Sequence, residues 1–297
     1  MLGARVLLSA IIKELNITQL GLSLYGGTTD DKFGYSVSMN SSGDRIVIAS
    51  PINITNAPRS GSVRVYSLIG NTWTKLGQDI DGEAAGDNFG RSVSINSTGD
   101  RIVVGAPNND GKGIDSGSVR VYSLIGNVWT QLGQDIDGEA AGDNFGFSVS
   151  MNSAGNRIVV GAPFNDGNGS NSGSVRVYSL IGNTWTKLGG LVDIDGEAAG
   201  DYFGYSVSMN SAGDRIVVGA PYNDKNGRNS GSVRVYYLEN GVWNKLGGLV
   251  DIYGEANEDV FGYSVSMNST GDRIVVGAPL NDKNGNSSGA ISVYKIS

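Results

Sequence analysis

Residues 89–107 read FGRSVSINSTGDRIVVGAP, and the same phrase recurs along the chain with few changes. Phe-Gly stands at Phe33-Gly34, Phe89-Gly90, Phe145-Gly146, Phe203-Gly204 and Phe261-Gly262, at steps of 56, 56, 58 and 58 residues. Sixteen residues after the Phe comes Gly-Ala-Pro, at Gly105-Ala106-Pro107, Gly161-Ala162-Pro163, Gly219-Ala220-Pro221 and Gly277-Ala278-Pro279. The first copy has Ala49-Ser50-Pro51 instead, so five of the 6 prolines hold one place in the repeat. A fixed period of this length marks a repeat architecture, in which each unit buries its apolar faces against its neighbours.

Each unit reads as four strands. The first, Phe33 to Asn40, sets Tyr35, Val37 and Met39 against Gly34, Ser36 and Ser38 at period two. A short turn leads to a continuous apolar run, Ile46 to Ala49, suited to a strand covered on both faces. Gly61 to Leu68 alternates again, and Thr72 to Gly77 makes a fourth strand after the turn at Gly70-Asn71. No helical period runs through these units. Four antiparallel strands repeated five times predict an all-β chain folded as a five-bladed β-propeller. The small residues of the first strand suit the crowded axis. Trp73, Trp129, Trp185 and Trp243 lie on the outer strand, where they fill the gaps between blades or stack on a sugar.

The last copy ends on its third strand and lacks the outer segment. Asn16-Ile17-Thr18-Gln19-Leu20-Gly21 aligns with Thr72-Trp73-Thr74-Lys75-Leu76-Gly77. The alignment predicts that a strand at 16–20 pairs with 290–295, closing the ring and removing two open edges. Residues 15–297 then form one propeller. Residues 1–14 (MLGARVLLSAIIKE) stand apart as a short amphipathic helix or docking arm. Their apolar run is too short and interrupted for a signal peptide.

The pairing of Phe-Gly with Gly-Ala-Pro at this spacing resembles the FG-GAP repeats of the integrin α-subunit propeller and related surface proteins, over residues 16–297. The resemblance implies a propeller that binds a protein ligand on one face, in an extracellular, cell-surface or particle-surface protein. Blades of that family also carry a calcium loop between their first and second strands. The corresponding turns here (Asn40 to Asp44, Asn96 to Asp100, Asn152 to Asn156, Asn210 to Asp214 and Asn268 to Asp272) are too short and too poor in acids to make it. This chain also has five repeats where the integrin propeller has seven.

Composition narrows the chemistry. The 297 residues include no His and no Cys, which removes imidazole acid–base work, Ser-His-Asp triads, thiolate nucleophiles and disulfides. A formal charge of −7 argues against a nucleic-acid partner. No apolar run approaches the ~20 residues of a membrane span. The 46 glycines belong in turns and inner strands.

In an up-and-down blade the connections between strands two and three, and from blade to blade, emerge at one end. Most of the 29 acidic residues fall in those loops. Asp79, Asp81, Glu83 and Asp87 recur as Asp135, Asp137, Glu139 and Asp143, and as Asp193, Asp195, Glu197 and Asp201. These residues are the expected ligand-binding face, for a protein partner or a glycan. Asp79, Asp81 and Glu83, with their counterparts Asp135, Asp137, Glu139, Asp193, Asp195 and Glu197, could donate oxygens to Ca2+. They equally suit turns and solubility. Arg59, in the divergent first loop (Ile52 to Ser60), is a candidate unique contact. The arginines that follow each turn, and Arg64, Arg120, Arg176 and Arg234 on the third strands, read as solvated or locally paired. Together these features favour a non-catalytic binding, adhesion or assembly module. A multivalent lectin is the alternative, since five similar blades offer five similar pockets. A carboxylate glycosidase is disfavoured, because its two carboxyls need unlike surroundings that repetition does not supply.

Overall fold

The computed structural model describes residues 17–190, 193–248 and 251–296. The segment 1–14, expected to be a helix or docking arm, lies outside them. Five antiparallel sheets follow one another as the blades of a propeller, their inner strands facing a common axial channel. Among the described residues no helix occurs.

Blade two shows the plan. Its inner strand Ser92–Ile95 pairs with Arg101–Ala106, which pairs with Ser118–Ile125. The outer edge is divided. Val128–Gln131 covers the end of the third strand, and the two-residue strand Ile136–Asp137 covers its beginning. That short strand was not expected from the sequence. It folds the blade-to-blade loop back onto the sheet, which fixes the side chains around it.

The hydrophobic cores lie between blades. Val103, Val119 and Val121 of blade two meet Phe145, Val149 and Met151 of blade three, and three equivalent clusters join the other adjacent blades. The second strand is covered on both sides, with Ile102, Val103 and Val104 fully buried, which is why its sequence is continuously apolar. Each such side chain contributes about 1.5–3 kcal/mol on burial.

The Phe-Gly and Gly-Ala-Pro motifs meet at these interfaces. A Cβ on Gly105 would stand 2.0 Å from the carbonyl oxygen of Gly146 in the next blade, and Gly161 faces Gly204 in the same way. The first glycine of one motif and the second of the other are therefore a single packing requirement. Inner-strand serines satisfy the edge facing the axis. Ser94 Oγ accepts from the Met151 N–H, Ser150 Oγ from Met209 and Ser208 Oγ from Met267. Each Trp donates its indole N–H to the preceding blade's outer segment, as Trp129 does to Leu76 O at 2.8 Å and Trp185 to Leu132 O at 2.8 Å. The turn arginines reach across as well, Arg101 to Gly155 O and Arg157 to Gly213 O. They bridge to the next blade, where the sequence suggests side chains that are solvated or locally paired.

Ring closure differs from the expectation. Residues 17–20 form no strand, and blade five is a three-stranded sheet of Ser264–Met267, Arg273–Ala278 and Ala290–Lys295. The alignment with Thr72 to Gly77 nevertheless holds at its end. Leu20 O accepts the Trp73 indole N–H at 2.9 Å, and Gly21 packs against Trp73 as Gly77 does against Trp129. Leu20 and Gly21 contact blade one, while the described residues 17–20 are exposed and do not pair with blade five.

Candidate binding face

The acidic loops do not form the open carboxylate face expected. The third strands of blades one to four each carry an arginine, Ser292 taking its place in blade five, and the folded-back loop brings acids to it. Arg120 Nε donates to Asp135 Oδ2 at 3.1 Å, and the same guanidinium holds Glu83 of the incoming loop. Arg176 is paired with Asp193 and Glu139, and Arg234 with Asp251 and Glu197. In blade one Arg64 and Lys75 share Asp79. Arg120, Arg176 and Arg234 are each about 4% exposed, so of the two readings, solvated or locally paired, these arginines take the second, with the guanidinium buried. Arg176 and Arg234 also lie 5.5 and 5.1 Å over the rings of Phe145 and Phe203, the Phe of their own blade's motif.

Burial works to raise the carboxyls of Asp79, Asp193 and Asp251. Hydrogen bonds and charge from their lysine and arginine partners outweigh it and hold all three below the usual range. Asp87, Asp143 and Asp201 have a different task. Asp87 accepts from the Ala84 N–H and from Asn109, Asp143 from Ala140 and Asn165, and Asp201 from Asn223, so each ties two loops together. Burial, despite those hydrogen bonds, leaves Asp87 and Asp201 above the usual range.

Asp81, Asp137 and Asp195 end the short outer strands; Lys112 approaches Asp137 at 3.9 Å, and burial followed by the Asp193 charge pushes Asp195 up. Glu83, Glu139 and Glu197 keep about half or more of their side chains in solvent. Arg59 is exposed, with left-handed φ, and its carbonyl accepts the Asn88 N–H. Among the described residues no three acidic side chains gather to hold a metal ion. The nine candidate calcium ligands are thus distributed over separate loops, most of them paired with cations.

The same end of the propeller holds a feature that the sequence reading passed over. The residue after each Phe-Gly lines the mouth of the axial channel: Tyr35, Arg91, Phe147, Tyr205 and Tyr263. They touch in series. The Arg91 guanidinium lies 5.1 Å from the Tyr35 ring and 4.1 Å from Phe147, Phe147 is 4.9 Å from Tyr205, and Tyr205 is 5.0 Å from Tyr263. Outside them stand Phe164 and Tyr222, each following the repeat proline, with Tyr202 between them at 5.2 and 5.0 Å. Two hollows flank the cluster. One of about 310 Å³ is lined by Arg91, Phe147 and Phe164 with the amides of Asn88, Asn108 and Asn144. The other, of about 470 Å³, is lined by Tyr202, Tyr205 and Tyr222. The channel between them measures about 410 Å³. Burial, then the hydrogen bond with Tyr263, pushes the Tyr205 phenol up, and Arg91 brings a positive charge to the cluster.

A signal for this cluster was present in the repeat itself. The packing columns hardly change, whereas the column after Phe-Gly runs Tyr, Arg, Phe, Tyr, Tyr and the column after proline runs Ile, Asn, Phe, Tyr, Leu. Positions that vary between otherwise matching blades are not needed by the packing shared by all blades.

A family model described as FG-GAP repeat matches residues 80–122, 136–178, 185–236 and 245–294. The first two matches start at the short outer strands, and all four end on a third strand. No curated protein sequence matches the chain. Among solved structures, the hydrazine synthase of Kuenenia stuttgartiensis superposes with a TM-score of 0.55 at 12% identity, over 93% of this chain and 67% of that one. At that identity the likeness is one of fold.

Proposed function

Because this chain belongs to the FG-GAP repeat family and builds its repeats into a five-bladed β-propeller, we propose that it is a non-catalytic binding module whose ligand is a protein segment seated on the aromatic channel mouth. The observation that carries this reading is the half-exposed cluster around Phe147, Tyr205 and Tyr222, flanked by two hollows at the loop end. Aromatic side chains supply large contact area at little entropic cost, and they dominate recognition surfaces for that reason. The exposed Glu83, Glu139 and Glu197 add negative charge at the same end, so the fitting segment combines apolar side chains with basic ones. The acids that a hydrolase would need are engaged by arginine and lysine, which supports a binding role over a catalytic one.

A displayed peptide library, panned on the intact protein and on a Phe147→Ala/Tyr205→Ala variant, tests the proposal. Enrichment of aromatic and basic peptides that the variant no longer retains is the expected result. No enrichment, or enrichment that survives both substitutions, removes it.

The smaller hollow favours a second reading. Its aromatic rings beside three asparagine side chains and Arg91 offer a face for a sugar ring and polar groups near its hydroxyls. Binding on a glycan array that is lost with Phe164→Ala would select the lectin reading, and a blank array with and without calcium would end it.

A further inference from the structure

Five of the rings at the loop end form a closed circuit. Phe147 meets Phe164 with ring centroids 6.1 Å apart, Phe164 meets Tyr202 at 5.2 Å, and Tyr202 meets Tyr222 at 5.0 Å. Tyr222 meets Tyr205 at 6.2 Å, and Tyr205 returns to Phe147 at 4.9 Å. In that order successive planes are inclined by 72, 89, 65, 83 and 51°, which together make one full turn, as the walls of a pentagon do. These rings line the hollow of about 470 Å³, with Gly200 and Asn229 beside them. A pentagon with sides of this length has its centre about 5 Å from every centroid, inside the ~6 Å over which an aromatic ring attracts a cation.

All five rings come from blades three and four, and the propeller itself does not require them. The place after the repeat proline holds Ile52, Asn108 and Leu280 in the other blades. The place before each Phe-Gly is left-handed in every blade, and Tyr202 has φ 54° where Asn88 and Asn144 stand in blades two and three. Asparagine takes that backbone more readily than a bulky residue. Elsewhere in the chain rings of this kind hold cations: Arg64, Arg176 and Arg234 lie over Phe33, Phe145 and Phe203, and Arg91 lies over Phe147 from the smaller hollow. Among the described residues no Lys or Arg lines the five-ring hollow. Its rim is acidic instead. The Asn229 N–H donates to Asp224 Oδ1 at 2.7 Å and its side-chain amide to Glu258 Oε2 at 2.9 Å, Glu258 being paired in turn with the exposed Arg228.

We propose that this hollow is an aromatic cage for a quaternary ammonium group, the trimethylated side chain of a lysine on the protein segment seated at the channel mouth. The inference rests on the reading of that mouth as a protein-binding surface and names the group it takes. An unmodified lysine brings three N–H donors that need acceptors, and walls made of five rings supply few. Three methyl groups remove those donors and present the charge on an apolar surface, which leaves the attraction of the rings as the main polar contact. The carboxylates of Asp224 and Glu258 at the rim complement the same charge. The hollow is larger than one trimethylammonium group, so part of the methylene stem fits with it, and this favours a side chain over a small free amine.

The test uses the intact chain and acetyl-trimethyllysine amide, whose N-methyl protons are expected to shift upfield in the NMR spectrum as they enter the cage. Three competitors are then added: acetyl-lysine amide, the uncharged isostere with carbon in place of the quaternary nitrogen, and choline. The first two are expected to displace the probe at least about tenfold less effectively than unlabelled trimethyllysine amide does, and choline no more effectively. Tyr222→Leu gives blade four the residue that blade five has as Leu280, and it is expected to keep its circular dichroism and lose the shift. An isostere that competes equally overturns the proposal, because the hollow then reads apolar surface and not charge. Choline that competes tenfold better overturns the assignment to a lysine side chain. A shift that is absent from the parent, or unchanged in Tyr222→Leu, overturns the cage. Peptides enriched by panning while the probe stays unshifted would keep the protein-binding mouth and remove the cage alone.

Discussion

The third-strand arginines decide how the acidic loops behave. Arg234 is the clearest case, since its partner Asp251 has no exposed side-chain surface and is also held by Lys245. Removing one member of an interior ion pair leaves the other charge uncompensated and costs about 3–5 kcal/mol. Arg234→Met is therefore expected to lower the urea midpoint by that equivalent, while Arg228→Met, at an exposed pair with Glu258, changes it by less than about 1 kcal/mol. The same residues set the acid response. Asp79, Asp193 and Asp251 have folded-state pKa values below their unfolded ones, so their contribution is present at neutral pH and is lost as pH falls below about 4. Asp87 and Asp201, raised by burial, act in the opposite sense: their contribution is greatest in acid and is lost as pH rises through the folded value. Asp251→Asn is expected to melt lower at pH 7 yet lose less melting temperature than the parent between pH 5 and about 3. Equal slopes in the two proteins would show that Asp251 is not held ionised in this way. The burial of these arginines could not be read from strand alternation, since an Arg between valines looks the same facing water or facing a loop. The readable sign was an acid that keeps step with it. Arg64 and Arg120 meet an Asp 15 residues on, and Arg176 and Arg234 meet one 17 residues on, where the loops are two residues longer.

At the scale of strands and blades, the motif spacing made most of the fold legible. Sixteen residues from Phe to the second glycine is the length of an inner strand, a turn and a second strand, and that hairpin is what places one glycine against the next blade's carbonyl. The apolar run of the second strand likewise disclosed its double burial before any contact was known. What stayed hidden were features made by loops returning to the sheet. Ile80–Asp81 is too short to show a period, yet it pairs with Ser62 and Val63 and aims its neighbours inward. The aromatic mouth was hidden for another reason, since its rings come from four blades, at a repeat position whose identity changes from blade to blade. The glycine contact gives an element-scale prediction. Gly161→Ala forces a methyl group against the Gly204 carbonyl oxygen, and relieving a backbone clash means opening the blade interface, at about 3 kcal/mol or more. Gly277→Ala meets the Ser264 hydroxyl, a side chain that can rotate away, so its cost is expected to stay under about 1 kcal/mol. Urea titrations of the two variants check the contrast. A similar loss in both would mean that Gly277 already has a blade packed on it.

Across the whole molecule, stability should follow the number of neighbours that each blade has. In a repeat array the free energy is approximately a sum of unit terms and nearest-neighbour interfaces. Blades two, three and four are each packed on both faces, whereas blade five has one covered face and three strands. Its edge strand Ala290–Lys295 pairs on one side and exposes alternate residues, so opening it uncovers little apolar surface that is not already wet. The third strand of blade three, Ser174–Ile181, is paired along both edges and covered on both faces. Native-state hydrogen exchange at low micromolar concentration is therefore expected to rank the amides of 290–295 among the first to exchange, and those of 174–178 and 157–162 among the last. Protection at 290–295 equal to that of blade three would show that the seam is already closed within the chain.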